Sequence, residues 1–331
     1  MEATKQQQEL SNLIDDKLAE LNLPQEPSLL YDPVRYTLSL AGKRVRPYLT
    51  LVGCGVCGGD IEEAIPAALS IELLHNFTLL HDDIMDRAHT RRGEPSVYKK
   101  WDSNTAILSG DAMYAKAFKQ LQYYGREADY SKQTYSLILD LFLDSAERVC
   151  EGQAYDLMFE KDYDVSIDQY LQMIEGKTAA LISGAFAMGG AVARADEKWI
   201  RELQFIGRKV GIAFQIQDDL LDAVADPKKF GKKKGGDIVE GKKTYLTLLA
   251  LQRSEEQTNR KLVKLLTSTE NSEEEIAEVI SIFESLDVFS DTKNAIKYHY
   301  QEAIDHLDTF DNSQYKKGIT EFLNRLISRK Y

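Results

Sequence analysis

The chain has 331 residues, 43% of them hydrophobic, with only 7 prolines and 20 glycines, which excludes a disordered or collagenous polypeptide and favours helices around a large buried core. Its 41 Lys and Arg against 53 Asp and Glu leave a net charge of −12, which argues against a nucleic-acid binder and against electrostatic attachment to anionic lipid, so that an anionic substrate would need a local basic patch. Three cysteines, Cys54, Cys57 and Cys150, are too few and too unevenly placed for a disulfide framework, so a reducing, cytoplasmic compartment is expected.

The N-terminal Met1-Glu2-Ala3-Thr4-Lys5-Gln6 lacks the basic and apolar regions of a signal peptide, and no run of 18 apolar residues follows, so no stable membrane insertion is expected. From about Gln7 to Leu23, Leu10, Leu13, Ile14, Leu18 and Leu21 recur at three-to-four spacing, which predicts an amphipathic helix ended by Pro24. A second helix is predicted after Pro33, up to a turn at Gly42-Lys43-Arg44-Val45-Arg46-Pro47. Pro47 suits the first turn of a third helix, where its missing N–H costs nothing. Ile61 to Asp86 reads as one long helix, apolar on most sides and therefore buried. A polar loop spans Arg87 to Tyr98. Helices follow around Ala106–Tyr123, Ser131–Phe159, Ile167–Ala193 and Lys198–Val224, then a lysine- and glycine-rich loop from Lys228 to Lys243. From Thr244 onward the pattern is helical again, with Glu270–Glu278 as a solvated helix start. No recurrent strand pattern and no Pro/Ser-rich linker interrupts the chain, so residues 1–331 are expected to form one all-α domain.

Two DDxxD clusters stand at helix ends, Asp82-Asp83-Ile84-Met85-Asp86 and Asp218-Asp219-Leu220-Leu221-Asp222. Residues four apart share a helix face, so Asp82 and Asp86 project together while Asp83 lies about 100° round. Crowded carboxylates repel unless a cation sits among them. Magnesium takes oxygen ligands and typically shares one or two carboxylates with substrate phosphates, so two such clusters suggest a diphosphate held through metal ions. Positive charge for an anion comes from the Gly42 to Arg46 turn, from Arg91-Arg92 and from Gly231-Lys232-Lys233-Lys234-Gly235, since Lys acts as a point charge and Arg as a bidentate fork. His75, two turns before Asp82 on the same face, joins this anion site. The lone Cys54-x-x-Cys57, with no second pair and no nearby His, reads as two small core residues.

Together these stretches resemble the trans-isoprenyl diphosphate synthase, or polyprenyl synthetase, family. The resemblance runs over nearly the whole chain, through Gly42 to Pro47, Leu74 to Asp86, Arg91-Arg92-Gly93, Gly110-Asp111, Glu151-Gly152-Gln153, Lys177-Thr178, Phe214 to Asp219, Gly231-Lys232 and Asp237 to Thr244. It implies an isoprenoid synthase fold, a mostly antiparallel helical bundle around a deep central cavity, working as a homodimer with about three Mg²⁺ ions. By the same resemblance Asp82, Asp83 and Asp86, with Asp218, Asp219 and Asp222, hold the metal ions. Lys43, Arg46, His75 and Arg92 match the isopentenyl diphosphate site, and Arg91, Lys177, Lys232 and Lys242 match the allylic diphosphate site. Thr178 and Gln215 match polar groups lining the carbocation's path. The C-terminal Ser328-Arg329-Lys330-Tyr331 is only weakly like the basic tail that closes the site in relatives.

The implied chemistry suits these residue types. An allylic diphosphate ionises only if the charge on its leaving group is neutralised by metal ions, Lys and Arg in a water-poor site. Isopentenyl diphosphate then attacks, a proton is lost to the departing diphosphate, and no protein nucleophile is required. Phe77 matches the position of an aromatic floor for the growing chain, about 7.5 Å below the metal end at 1.5 Å per residue, which implies a short product, C15 or C20. Helix projection puts Thr78 about 40° from the Asp82 line and Phe77 about 140° from it, so periodicity does not single out Phe77. The alternatives are a longer-chain synthase, C30 or above, with its floor elsewhere, and a non-catalytic isoprenoid-binding subunit, which six retained aspartates disfavour. A terpene cyclase has no use for Lys43, Arg46 and His75.

Overall fold

Helical periodicity accounts for nearly all the regular structure in the computed structural model, which describes residues 4–127, 129–160, 162, 164–224, 235–268 and 272–328. Helix α1 (Lys5–Ala19) starts where the Thr4 hydroxyl accepts from the Gln7 amide, and it buries Leu10, Ile14 and Leu18. That side-chain acceptor satisfies one of the orphan N–H groups of a helix start. Helix α2 (Ser28–Ser39) begins earlier than the predicted start after Pro33 and carries that proline inside it. The carbonyl four residues back belongs to exposed Leu29, where water can replace the lost hydrogen bond. Helix α3 (Val45–Val56) has Pro47 in its first turn as expected. Helix α4 (Ile65–Met85) starts later than the Ile61 boundary, with Pro66 in its first turn, and ends with Asp86 as its C-cap.

The predicted polar loop contains a two-stranded antiparallel ribbon, β1 (Thr90–Arg91) and β2 (Glu94–Pro95), and a single turn, α5 (Val97–Lys100). Next come α6 (Ser103–Arg126), α7 (Lys132–Phe159) and α8 (Ile167–Ile174), the last begun by a reciprocal capping box between Ser166 and Gln169. A π-helical turn at Glu175–Ala179 joins α8 to α9 (Ala180–Val192), and α10 (Glu197–Val224) carries the second acidic cluster. The remainder is α11 (Gly236–Val239), α12 (Tyr245–Arg253), α13 (Glu256–Leu266), α14 (Glu273–Ser285), α15 (Val288–Leu307) and α16 (Gln314–Ile327). Helix α14 opens on a Ser272–Glu275 capping box with three glutamates in its first turn, which favours its N-terminal dipole.

Contacts cluster into two compact units. The first comprises Met1–Ala146, Leu181–Gln204 and Phe310–Glu321. Its axis is the pairing of α4 with α6, whose buried faces supply Ile71, Leu73, Leu74, Met113, Leu121 and Tyr124. Gly110 lets the two helices approach, because a Cβ there would lie 2.5 Å from His81 Nε2. Cys54 and Cys57 also belong to this unit. Burial pushes both thiols up to about 12, so both stay protonated and unreactive at neutral pH.

The second unit comprises Glu147–Ala180, Phe205–Thr309 and Phe322–Tyr331. Two glycines let neighbouring helices close on its π-turn, since a Cβ on Gly152 would meet the Lys177 amide nitrogen at 2.0 Å and one on Gly211 would meet Ala179 Cα at 2.4 Å. No helix among the described residues is long and apolar enough to cross a membrane.

Candidate active site

In the first unit the turn between α2 and α3 is clamped from within. Arg44, at φ 45°, is buried and donates to Glu72 Oε1 at 2.6 Å, Asp15 Oδ1 at 2.7 Å and the carbonyls of Leu38 and Leu40 at 3.0 and 3.2 Å. The sequence groups Arg44 with the turn's available positive charge. Folding instead commits that charge to Glu72 and Asp15. The charge that remains on the turn belongs to exposed Lys43 and half-buried Arg46.

Arg46 Nη1 lies 3.2 Å from His75 Nε2. Burial, reinforced by the charges of Arg46, Arg92, Arg91 and Arg44, holds the His75 imidazole well below its ordinary pKa. It is therefore neutral, and Nε2 accepts from Arg46. The Arg92 guanidinium donates to the Leu40 carbonyl at 3.2 Å and stacks against Gly42, where a Cβ would sit 3.0 Å from it. A side chain at 42 would displace that guanidinium by a few tenths of an ångström. Lys43, Arg46, His75 and Arg92 come together around one turn and one helix face.

At the end of α4 the first acidic cluster splits by burial. Asp83 is buried and accepts from Arg91 through Nε at 2.9 Å and through Nη2. Burial pushes the Asp83 carboxyl up while Arg91 pulls it down. Arg91 Nη2 also lies 3.9 Å from Asp82 Oδ2, so its cation serves the cluster itself. Asp82 and Asp86, one turn apart, are half-buried and exposed.

Below them on α4, the Phe77 ring packs against His81 at 4.7 Å and Tyr114 of α6 at 5.2 Å, and Tyr114 stacks on Phe142 of α7 at 6.1 Å. Thr78 donates its hydroxyl proton to the His75 carbonyl at 2.8 Å.

In the second unit Lys177 and Thr178 sit in the π-turn, a rare helical distortion that often marks function because it re-aims side chains. Lys177 Nζ donates to Asp156 Oδ2 at 2.5 Å. The Thr178 hydroxyl donates to Gln215 Oε1 at 2.9 Å, and Gln215 Nε2 donates to Asp219 Oδ1 at 3.0 Å. The other oxygen of Asp219 accepts from the Tyr170 hydroxyl at 2.6 Å and the Tyr245 amide at 3.2 Å.

Asp219 is buried, and that burial, with the nearby charge of Asp237, pushes its carboxyl up to about 7 against three stabilising donors. Asp218 and Asp222 are half-buried on the outer face of α10. Asp222 Oδ2 accepts from the Asp237 amide at 2.8 Å. Lys242 pairs with Glu240 at 2.7 Å and Asp237 at 3.6 Å. Lys232, Arg329 and Lys330 lie outside the described residues.

Both clusters share one pattern, a buried middle aspartate bonded by the protein and two aspartates four apart on the outer face. Among the described residues no three His, Cys, Asp or Glu side chains converge into a closed cation site. Paired outer carboxylates suit magnesium, which takes few protein ligands and fills its shell with water and phosphate oxygens.

Further residues in these networks escape sequence reasoning, among them Glu72, Tyr114, Asp156 and Tyr170. Glu72 had a signal, a carboxylate within the most apolar helix of the chain, whereas Tyr114, Asp156 and Tyr170 had none.

Comparisons with known proteins identify the family. The polyprenyl synthetase family model matches residues 27–283. A short chain isoprenyl diphosphate synthase of Methanothermobacter thermautotrophicus is 35% identical over 328 residues, covering 97% of each chain. A geranylfarnesyl diphosphate synthase of Natronomonas pharaonis is 34% identical, covering 98% of this chain and 96% of that one. The crystal structure of geranylgeranyl pyrophosphate synthetase from Pyrococcus horikoshii superposes with a TM-score of 0.91 at 36% identity, covering 98% and 97%. The chain therefore belongs to the polyprenyl synthetase family, all-α prenyltransferases of the isoprenoid synthase fold.

Proposed function

We propose that the protein condenses isopentenyl diphosphate head-to-tail with an allylic diphosphate to give a short all-trans product, farnesyl or geranylgeranyl diphosphate. The observation that carries this reading is the grouping of Arg46 and Arg92 around neutral His75, beside the turn that carries Lys43, a set of cations with no role in ionising an allylic substrate. Relatives named for geranylgeranyl products favour the longer of the two.

In this reading Lys43, Arg46 and Arg92 bind the homoallylic diphosphate, and His75 fixes the Arg46 fork by accepting one of its protons. Lys177, Lys232 and Lys242 bind the allylic diphosphate. Magnesium, about three ions, would be held by Asp82, Asp86, Asp218 and Asp222, and when bound it neutralises charge developing on the leaving diphosphate.

Asp83 and Asp219 serve a different purpose, orienting neighbours from inside the protein. The carbonyl of Gln215 turns a negative dipole toward the developing carbocation, as electrostatic stabilisation of a transition state requires. Phe77, backed by Tyr114, ends the space for the growing chain. The departing diphosphate takes the proton released in the final elimination.

We further propose a cytoplasmic homodimer. What supports a dimer is the exposed apolar series Ile107, Leu108 and Phe118 on α6 with Leu137 and Leu143 on α7, apolar surface that a second copy could cover.

Purified protein incubated with magnesium, isopentenyl diphosphate and dimethylallyl, geranyl or farnesyl diphosphate tests the reading. Mass spectrometry should show products ending at C15 or C20, and none after chelation. Absence of condensation with every primer overturns the function, and a product of C30 or above overturns the chain length.

A further inference from the structure

Tyr170 lies eight residues before Thr178 on α8 and is not among the residues that the family motifs single out. Its ring is buried, and its hydroxyl donates to Asp219 Oδ2 at 2.6 Å. The Tyr245 amide donates to the same oxygen, while Gln215 Nε2 donates to the other at 3.0 Å. Donors meet Asp219 at both oxygens, and the Gln215 amide is the one that turns its NH₂ group toward Oδ1. That fixes Gln215 with its carbonyl on the opposite side, where Oε1 accepts from Thr178 at 2.9 Å. One lone pair of Oε1 is used by that hydroxyl, and the second remains in a set direction.

We infer that Tyr170 is a positioning residue for the condensation, acting through Asp219 to hold the Gln215 carbonyl toward the allylic carbocation. The inference rests on the proposed role of Gln215 and adds the chain of groups that aims it. The Tyr170 hydroxyl holds the Asp219 carboxylate in register from α8, and Asp219 in turn fixes the amide of a residue one turn earlier on α10. Loss of the hydroxyl removes the shortest of the carboxylate's bonds and leaves that oxygen held by the Tyr245 amide alone at 3.2 Å, so the carboxylate is less firmly oriented and the amide with it. The consequence falls on the step in which positive charge develops, because binding of either diphosphate uses other residues.

A double-mutant cycle between Tyr170→Phe and Gln215→Leu tests this, read as the single-turnover rate of condensation with magnesium, isopentenyl diphosphate and geranyl diphosphate. Tyr170→Phe should slow that rate roughly tenfold, the scale of one hydrogen bond to a charged group. The KM for each diphosphate should stay within about twofold. Added to Gln215→Leu, the tyrosine change should cost less than about twofold more, since its target is already gone.

Tyr300→Phe is the control. Tyr300 is another buried tyrosine bonded to an α10 glutamine, Gln217, at 3.2 Å, and its loss should lower thermal stability without changing the rate. Losses that multiply in the double variant, an unchanged rate in Tyr170→Phe, or an equal slowing in Tyr300→Phe each overturn the proposal. A wild-type rate in Gln215→Leu alone overturns the role of Gln215 and the proposal with it, which separates the two failures.

Discussion

Arg44 and Glu72 form an ion pair at 2.6 Å with side-chain exposures of 3% and 2%. The pair ties the turn before α3 to the middle of α4, three residues before His75. Glu72 also accepts from Asn76 at 3.0 Å, so its carboxylate is bonded from both directions. Removing one partner strands the other charge in a poorly solvated place, a change worth about 3–5 kcal/mol. Asp15, half-exposed, still faces Arg44 and moderates that cost. Glu72→Gln should therefore lower the melting temperature by several degrees. The KM for isopentenyl diphosphate should rise severalfold while that for the allylic substrate stays within about twofold, because Lys43 and Arg46 ride on the loosened turn. Equal changes in both constants would count against the coupling.

The state of His75 gives a pH signature. Its folded pKa lies well below the ordinary value near 6.5, so the unfolded chain takes up a proton in a range where the folded protein does not. Stability must then be lost as pH falls from about 6.5 toward the folded pKa, and it gains nothing further above 6.5. Thermal melts of wild type and His75→Gln between pH 5 and 8 should diverge only on the acid side, with the variant losing less. Parallel curves would mean that the imidazole titrates normally.

The split within each acidic cluster predicts unequal roles. Asp82→Asn and Asp86→Asn should reduce kcat by a factor of at least about 1,000 and weaken magnesium dependence, since each removes an outward carboxylate of the kind a shared cation needs. Asp83→Asn should act mostly on stability. It leaves half-buried Arg91 with only the more distant Asp82 to face it, at 3.9 Å, so a melting temperature lowered by several degrees and a distorted β1–β2 ribbon are expected. Magnesium titrations of kcat alongside differential scanning calorimetry separate the two outcomes, and identical losses of metal affinity in all three variants would refute the division.

Much of this arrangement is legible in the sequence because it depends on short-range geometry. Asp82 and Asp86 share a face by helical spacing alone, Pro47 marks a first turn, and the apolar run of α4 announces burial. Long-range partners are another matter. The opposite fates of neighbouring Asp82 and Asp83 depend on Arg91, placed by a two-residue ribbon too short to give an alternating pattern. Tyr170 and Asp219 are 49 residues apart in sequence, and the hydrogen bond between them leaves no trace in local periodicity. Arg44 shows the same limit from the other side, since an arginine in a basic turn looks available until its acceptors from α1 and α4 are known. Phe77 is singled out by the family resemblance alone, and its partner Tyr114 by nothing in the sequence.

That partner gives a prediction about product length. Phe77 and Tyr114 meet across α4 and α6 at 5.2 Å, with Gly110 allowing the helices close enough for the rings to touch. If the two rings jointly form the floor, either truncation opens space, and the missing volume is available to an isoprenoid tail because a cavity lined by apolar groups stays dry. Phe77→Ala and Tyr114→Ala should each lengthen the main product by one or two isoprene units. The double variant should lengthen it further, since the next ring in the stack is Phe142 at 6.1 Å. Stability should fall by about 3–5 kcal/mol for Phe77→Ala if the site cannot collapse, so products are best assayed below the melting transition. Liquid chromatography with mass spectrometry reads the outcome directly. An unchanged product from Phe77→Ala with a longer one from Tyr114→Ala would move the floor to α6, and unchanged products from both would place the limit outside this aromatic stack.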